Sequence, residues 1–284
     1  GSDRVNNYNE RLAGARTFSV VQHLPAALVS AKKFYKSMPE TYSQAIDFLD
    51  ARTVLSLFAE EGANTLNDQI WEYSKAIGDL SSNAEPSELL SALNFSEENF
   101  NNLAAAMKPR FEQMRYTSSR DKKRIRFALA TIGNYVETLA QNNGDETTVH
   151  ALLQTKTKKS QNGYDLDHVY PRALTQDPGF DLSHGQEWVH GIGNLALVHS
   201  RDNLLASASI PEYKSKDYAS SKLLLTKSLA LQDDLSSTNT RLASTLAQLK
   251  ALGSQDVSSW SYGKAQLQTN FYFEILCECL RKKL

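Results

Sequence analysis

Two stretches in the middle of the chain decide its fold. The first is Tyr164-Asp165-Leu166-Asp167-His168-Val169-Tyr170-Pro171, and the second, after a loop, is Gly191-Ile192-Gly193-Asn194-Leu195-Ala196-Leu197-Val198-His199-Ser200-Arg201-Asp202-Asn203. The alternation of Leu166, His168 and Tyr170 predicts a strand, and residues 195–198 predict its antiparallel partner. Ser200 is suited to cap a helix that begins with Arg201, Asp202 and Asn203. The two stretches therefore predict a two-stranded hairpin followed by a helix.

Helical periodicity dominates on both sides of this hairpin. From about residue 26 to residue 140, apolar side chains recur at three- and four-residue spacing. Glycine, proline and asparagine predict the ends of five or six helices here, at Pro39, Gly62, residues 81–86, Pro109 and residues 142–144. Three further helices are predicted at residues 222–231, 233–252 and 262–284.

These patterns predict a mainly α-helical protein, a helical bundle with a small ββα module inserted in it. We predict an N-terminal helical domain at 1–155, the module at 156–225, and C-terminal helices at 226–284 that pack on the module. The opening Gly1-Ser2 resembles the remnant of a cleaved tag, so we expect the chain to be a fragment of a longer protein.

The composition argues against a membrane protein and against a protein stabilised by disulfides or by a four-thiolate zinc site. The 284 residues carry a formal net charge of -1, and 41% of them are hydrophobic. No apolar run approaches the roughly 18 residues that a membrane span requires, so no membrane association is expected. Cys277 and Cys279 are too few for a disulfide framework or a four-thiolate zinc site, and a reduced, cytoplasmic location is the natural expectation.

The hairpin stretch carries residues suited to phosphodiester hydrolysis. That reaction needs a base that deprotonates water and a divalent cation that neutralises charge on the phosphate. A neutral imidazole at His168 is a natural base near pH 7. Asp167 points to the other strand face and can hold a metal with Asn203, an oxygen set that favours Mg²⁺. His184, His190 and His199 are competing ligands or phosphate contacts.

At these residues the sequence resembles the HNH (ββα-metal) nucleases, including the HNH domain of RNA-guided CRISPR effectors. The pattern Asp-His…Ile-Gly-Asn-Leu…Asn…Lys is closer still to the C-terminal HNH domain of GmrSD-type and SspE-type defence nucleases. The resemblance implies His168 as catalytic base, Asp167 and Asn203 as metal ligands with Asp202 as a spare ligand, and Asn194 as the catalytic residue of the hairpin that fixes the loop and orients the base. Because the last position is asparagine and not histidine, it implies Mg²⁺ or Mn²⁺. It also implies a ParB-like nucleotide-hydrolysing domain, N-terminal in the same polypeptide and absent from this chain.

Basic residues predict where nucleic acid binds. Lys156, Lys158 and Lys159 precede the hairpin, and Lys214, Lys216 and Lys222 follow it. Lysine contacts to phosphates supply most non-specific DNA affinity, so both groups are predicted to bind DNA. A third basic run is equally consistent with a solvated face; it comprises Lys108, Arg110, Arg115, Arg120, Lys122, Lys123, Arg124 and Arg126.

The sequence therefore predicts a metal-dependent DNA endonuclease, nicking or cutting both strands, that serves as effector of a bacterial restriction or anti-phage system. The alternative is a non-catalytic helical DNA-binding or protein-interaction module with a degenerate HNH hairpin. Cleavage of RNA in place of DNA is also left open.

Overall fold

The computed structural model describes residues 11–141, 147–155, 163–176, 180, 182–200, 210–235 and 240–284. Within these ranges most residues are helical and one two-stranded sheet is present, which confirms the predicted mainly α class. The chain forms two compact units, one of Gly1–Phe111 with Cys277–Leu284 and the other of Glu112–Leu276. The three-part division into 1–155, 156–225 and 226–284 stays a prediction.

The first unit is a helical bundle. Its helices are α1 (Ala13–Phe18), α2 (Leu24–Phe34), α3 (Pro39–Ala59), α4 (Ala63–Asp79), α5 (Pro86–Leu93) and α6 (Glu97–Gln113), which ends just beyond it. The predicted signals explain most boundaries: Pro39 and Pro86 occupy the first turns of their helices, and Gly62 precedes α4. Apolar side chains at helical spacing form the core, among them Ile46, Phe48, Leu49, Ile70 and Ile77.

The break predicted at Pro109 is wrong. Pro109 lies inside α6, which continues to Gln113. Met107 and Phe111 on either side of it are both fully buried, whereas Pro109 itself is exposed. Burial of these flanking side chains offsets the hydrogen bond that proline removes from the helix.

Asp50, on α3, is a buried carboxylate in this bundle. It is 2% exposed, its Oδ1 accepts a hydrogen bond from the Ala15 backbone N at 2.9 Å, and its nearest cation, the Lys283 ammonium, is 4.0 Å away. Burial raises the pKa of Asp50 to about 6. The ionised carboxylate is therefore disfavoured in the folded state.

Asp50→Asn is expected to stabilise the protein at pH 8 by up to about 3 kcal/mol, and by progressively less as the pH falls towards 4. A carboxyl group with a raised folded pKa makes the wild type more stable as pH falls through that pKa, and the amide removes this dependence. Urea unfolding of both proteins at pH 8 and pH 4.5 measures the difference. Asp68→Asn, at an exposed carboxylate of α4, is the control. An Asp50→Asn effect that is equal at both pH values would contradict the prediction.

The second unit contains the hairpin. Its elements are α7 (Ser119–Leu139), α8 (Val149–Leu153), β1 (Tyr164–His168), β2 (Leu195–His199), α9 (Ser215–Ser220), α10 (Leu224–Lys227), α11 (Thr240–Ala251) and α12 (Tyr262–Arg281), which runs past its end. The helix predicted at 222–231 is much shorter than expected, and the helix predicted from residue 233 begins at Thr240 in the described part of the chain. Apolar side chains of the hairpin and these helices share one core, including Val169, Val198, Tyr218, Leu229 and Trp260.

Among the described residues, no helix combines the length and apolar character needed to cross a bilayer.

Candidate functional site

The hairpin of the second unit has the predicted strands. β1 and β2 pair antiparallel, with Tyr164 opposite His199 and His168 opposite Leu195. The ladder continues past β1, where the Val169 N donates to the Asn194 carbonyl at 2.9 Å. Leu166 and every residue from Leu195 to Val198 are buried, so packing holds the strand that ends at His168. The helix predicted after β2, with Asp202 and Asn203, lies outside the described residues.

Asn194 holds the turn that follows His168. Its Oδ1 accepts from the Tyr170 N and from the Trp260 Nε1, both at 2.8 Å. Its Nδ2 donates to the carbonyls of Val189 at 2.8 Å and Tyr170 at 3.0 Å. The amide therefore makes all four hydrogen bonds available to it, and the side chain is fully buried. These bonds make Asn194 a rigid link between β2 and the residues immediately after His168.

Gly193 brings this turn against α12. A Cβ atom at this position would lie 1.9 Å from the Ala265 carbonyl oxygen and 2.3 Å from the Thr269 Oγ1. Only glycine permits such a close approach of two backbones. The hairpin turn is thereby fastened to the C-terminal helix.

His168, at the end of β1, contacts two other rings. Its ring meets Tyr116 edge-on at 4.9 Å and His190 at 5.6 Å between centroids. The segment bearing Tyr116 is held there because its backbone N donates to the His190 carbonyl at 2.8 Å, next to a bridge between Arg115 and Gly191.

The imidazole of His168 is neutral. Burial, together with the positive charges of neighbouring side chains, lowers the pKa of His168 to about 3. Its Nε2 atom is buried and has no hydrogen-bond partner among the described residues, and the same holds for the Nδ1 of His190. An imidazole nitrogen in this condition can accept a proton or a hydrogen bond from a bound molecule.

The side chain of Asp167 is hydrogen-bonded to a lysine and a tyrosine. Its Oδ1 and Oδ2 accept from the Lys214 ammonium at 3.0 and 2.9 Å, and Oδ2 also accepts from the Tyr218 hydroxyl at 2.8 Å. Lys214 donates further to the His168 carbonyl at 2.6 Å. Asp167 is 6% exposed and Lys214 is 0% exposed, so the pair forms a buried ion pair beneath β1. Burial raises the pKa of Asp167, and Lys214 opposes that rise.

A metal ligand needs an oxygen lone pair directed at open space. In this structure the oxygens of Asp167 are used by an ammonium and a hydroxyl. The part of the chain that the structure describes contains no group of three or more His, Cys, Asp or Glu side chains arranged for a metal. Asn203, the second predicted ligand, lies outside that part. The described residues therefore do not fit a metal centre on Asp167, and the predicted ligand set stays a prediction.

The predicted DNA-binding lysines fall into three groups. Lys156, Lys158 and Lys159 lie outside the described residues. Lys216 and Lys222 are exposed. Lys214 is enclosed in the ion pair with Asp167, so contact with a phosphate would require breaking those bonds.

Several residues of the site were not singled out by sequence reasoning. They are Tyr116, beside His168; Tyr218, on Asp167; Trp260, on Asn194; and Arg172, whose charge lowers the pKa of His168. Two weak signals were present in the sequence. Tyr116 lies within the basic run from Lys108 to Arg126, but such a run also suits a solvated face. Tyr218 follows Lys214 by one helical turn, a spacing that places the two side chains on the same face.

The fold and the site define a mainly helical protein with a neutral histidine at the end of an antiparallel hairpin. The sequence model of the family described as GmrSD restriction endonucleases, C-terminal domain, matches residues 104–246, just over half of the chain. The chain therefore belongs to this family, which confirms the resemblance to GmrSD-type proteins. No curated protein and no solved structure matches the chain.

Proposed function

We propose that this chain is a DNA endonuclease in which His168 activates water for attack on a phosphodiester. One observation carries the proposal: a half-buried, neutral imidazole, whose Nε2 is buried and has no partner among the described residues, lies on the hairpin of a chain whose family is that of restriction endonucleases. A neutral nitrogen is the form that can accept a proton.

The proposed reaction follows from the position of this nitrogen. His168 Nε2 takes a proton from water, the water oxygen forms a bond to phosphorus, and the bond to the 3′ oxygen breaks. The 3′ oxygen then takes a proton from solvent, and the imidazolium returns its proton to solvent. Asn194 acts as a positioning residue because two of its hydrogen bonds hold the backbone of Tyr170, two residues after His168, while the other two fix its own amide to Val189 and Trp260. Preorganisation of this kind lowers the reorganisation needed to reach the transition state.

Positive charge around His168 supports an anionic substrate. The charges of Arg172 and Lys122 act on its imidazole, whereas the charge of Lys214 is balanced by Asp167. Cations near the scissile group stabilise the charge that develops as the phosphodiester is attacked. The role in a restriction or anti-phage system, and a ParB-like nucleotide-hydrolysing domain as partner, are further parts of this proposal that rest on the family and on the resemblance.

The test is cleavage of supercoiled plasmid by the full chain. We expect relaxed or linear product with Mg²⁺ or Mn²⁺ and none with EDTA, because a divalent cation commonly balances the leaving-group charge in phosphodiester hydrolysis. Asn203→Ala tests the predicted ligand in the same assay. Cleavage unchanged by EDTA would contradict the cation requirement, whereas absence of cleavage under all conditions would favour the non-catalytic module.

A further inference from the structure

Two exposed cations close to His168 in the chain or in space, Lys122 and Arg172, have no carboxylate partner among the described residues. Lys122 lies in the first turn of α7 and Arg172 lies just after the buried Pro171 that follows β1. Across the described ranges of the chain, neither side chain has an acidic group within ion-pair distance. Lys264 and Arg281, by contrast, are paired with Asp256 and Glu97. Cations without an acidic partner in the described part of the chain, close to a half-buried neutral histidine, are available to an anion.

The position of Lys122 is set by an aromatic ring. Its ammonium lies over the face of Tyr116, 4.4 Å from the ring centroid, and the same ring meets His168 edge-on at 4.9 Å. The backbone of Lys122 is fixed because its N donates to the Ser118 carbonyl at 2.8 Å. Two successive ring contacts therefore connect the ammonium to the imidazole. A cation held over an aromatic face keeps its outer side available to solvent or ligand.

The second cation, Arg172, follows the first hairpin strand in sequence, whereas Lys122 precedes it. Arg172 is an exposed residue four positions after His168, in the short helical turn Arg172–Gln176, and its positive charge contributes to lowering the pKa of His168 and of His190. Glu187 is the acidic group that acts on His190 in the opposite sense. A guanidinium offers a planar fork of donors that matches phosphate oxygens.

We propose that Lys122 and Arg172 are phosphate-binding residues that hold the DNA backbone against His168. This inference rests on the proposed function, since it assumes a phosphodiester at His168. Phosphates succeed one another every few Å along a DNA strand. A strand with its scissile phosphate at His168 therefore brings adjacent phosphates to the two cations. These contacts are expected to be independent of the DNA sequence, because phosphate groups are the same at every base pair.

The experiment measures binding separately from cleavage. A fluorescent duplex of about 20 base pairs is titrated with His168→Ala protein, and then with the same protein carrying Lys122→Ala or Arg172→Ala, in fluorescence anisotropy. Each added substitution is expected to raise the Kd about three- to tenfold at 0.1 M salt. Lys122→Ala should also lower the slope of log K against log salt by about 1, and Lys122→Arg should preserve both values.

Lys75→Ala is the matched control. Lys75 is an exposed lysine of the first unit whose ammonium lies over the Trp71 ring at 5.7 Å and pairs with Glu72 at 2.8 Å. The substitution therefore removes the same formal charge and the same kind of ring contact, but from a lysine that a carboxylate already neutralises. Equal Kd values for the Lys122, Arg172 and Lys75 variants would overturn the inference, as would a wild type that does not bind duplex DNA. Binding that depends on Lys122 and Arg172, in a protein that cleaves nothing, would support this inference and reject the proposed cleavage.

Discussion

His168→Ala is expected to lower the rate of plasmid cleavage by about two to four orders of magnitude, which is the usual contribution of a general base. The substitution removes the only part of the proposed machinery that accepts a proton. Its structural effect should be small, because His168 is half-buried and the backbone around it is held by Asn194 and Lys214. Single-turnover cleavage of supercoiled plasmid, with the unfolding transition recorded on the same sample, separates the two effects.

Two further measurements sharpen this prediction. His150→Ala makes the same substitution at an exposed histidine of α8 and should cleave like the wild type. Added imidazole should partly restore cleavage to His168→Ala, since a free base can occupy the vacated space; a residue needed only for folding would not be rescued in this way. Full activity in His168→Ala would reject the proposed mechanism outright.

Lys214→Met is expected to destabilise the second unit by about 3–5 kcal/mol. Lys214 and Asp167 are both buried, and removal of the ammonium leaves a carboxylate whose one remaining side-chain partner among the described residues is the Tyr218 hydroxyl. Asp167→Asn should be destabilising for the converse reason. The double variant should lose much less than the sum of the two, because no buried charge remains. Urea unfolding of the four proteins gives this coupling.

Lys216→Met supplies the control for this cycle. Lys216 is exposed two residues away, and its loss should change stability by no more than about 0.5 kcal/mol. The same cycle bears on the predicted metal ligand. If Mg²⁺ or Mn²⁺ stabilised the wild type and Asp167→Asn abolished that stabilisation, Asp167 would be a cation ligand and the buried ion pair would have to open.

The hairpin could be predicted from sequence because its information is local. Alternation in β1, the apolar run of β2 and the turn residues before it are all visible within short windows, as are most helix boundaries of the first unit. Pro109 misled the prediction because burial of Met107 and Phe111, a property of the bundle, outweighed the local preference of proline.

The neighbours of the site residues could not be predicted in this way. Lys214 was expected at a DNA surface, yet it lies under β1 against a carboxylate 47 residues away in sequence. Trp260 reaches Asn194 across 66 residues. Sequence periodicity tells which face of an element is apolar, but it does not tell which distant polar groups meet when those faces pack.

The sequence by itself determined the helical class, the antiparallel hairpin and the presence of His168 at the end of its first strand, because these follow from short-range spacing and backbone preference. Only the tertiary structure decided that Asp167 pairs with Lys214, that Tyr116 and Lys122 stand beside His168, and that Gly193 meets α12. Such contacts arise when elements far apart in the chain pack into one core, where burial makes every unpaired charge unfavourable and so selects the partners.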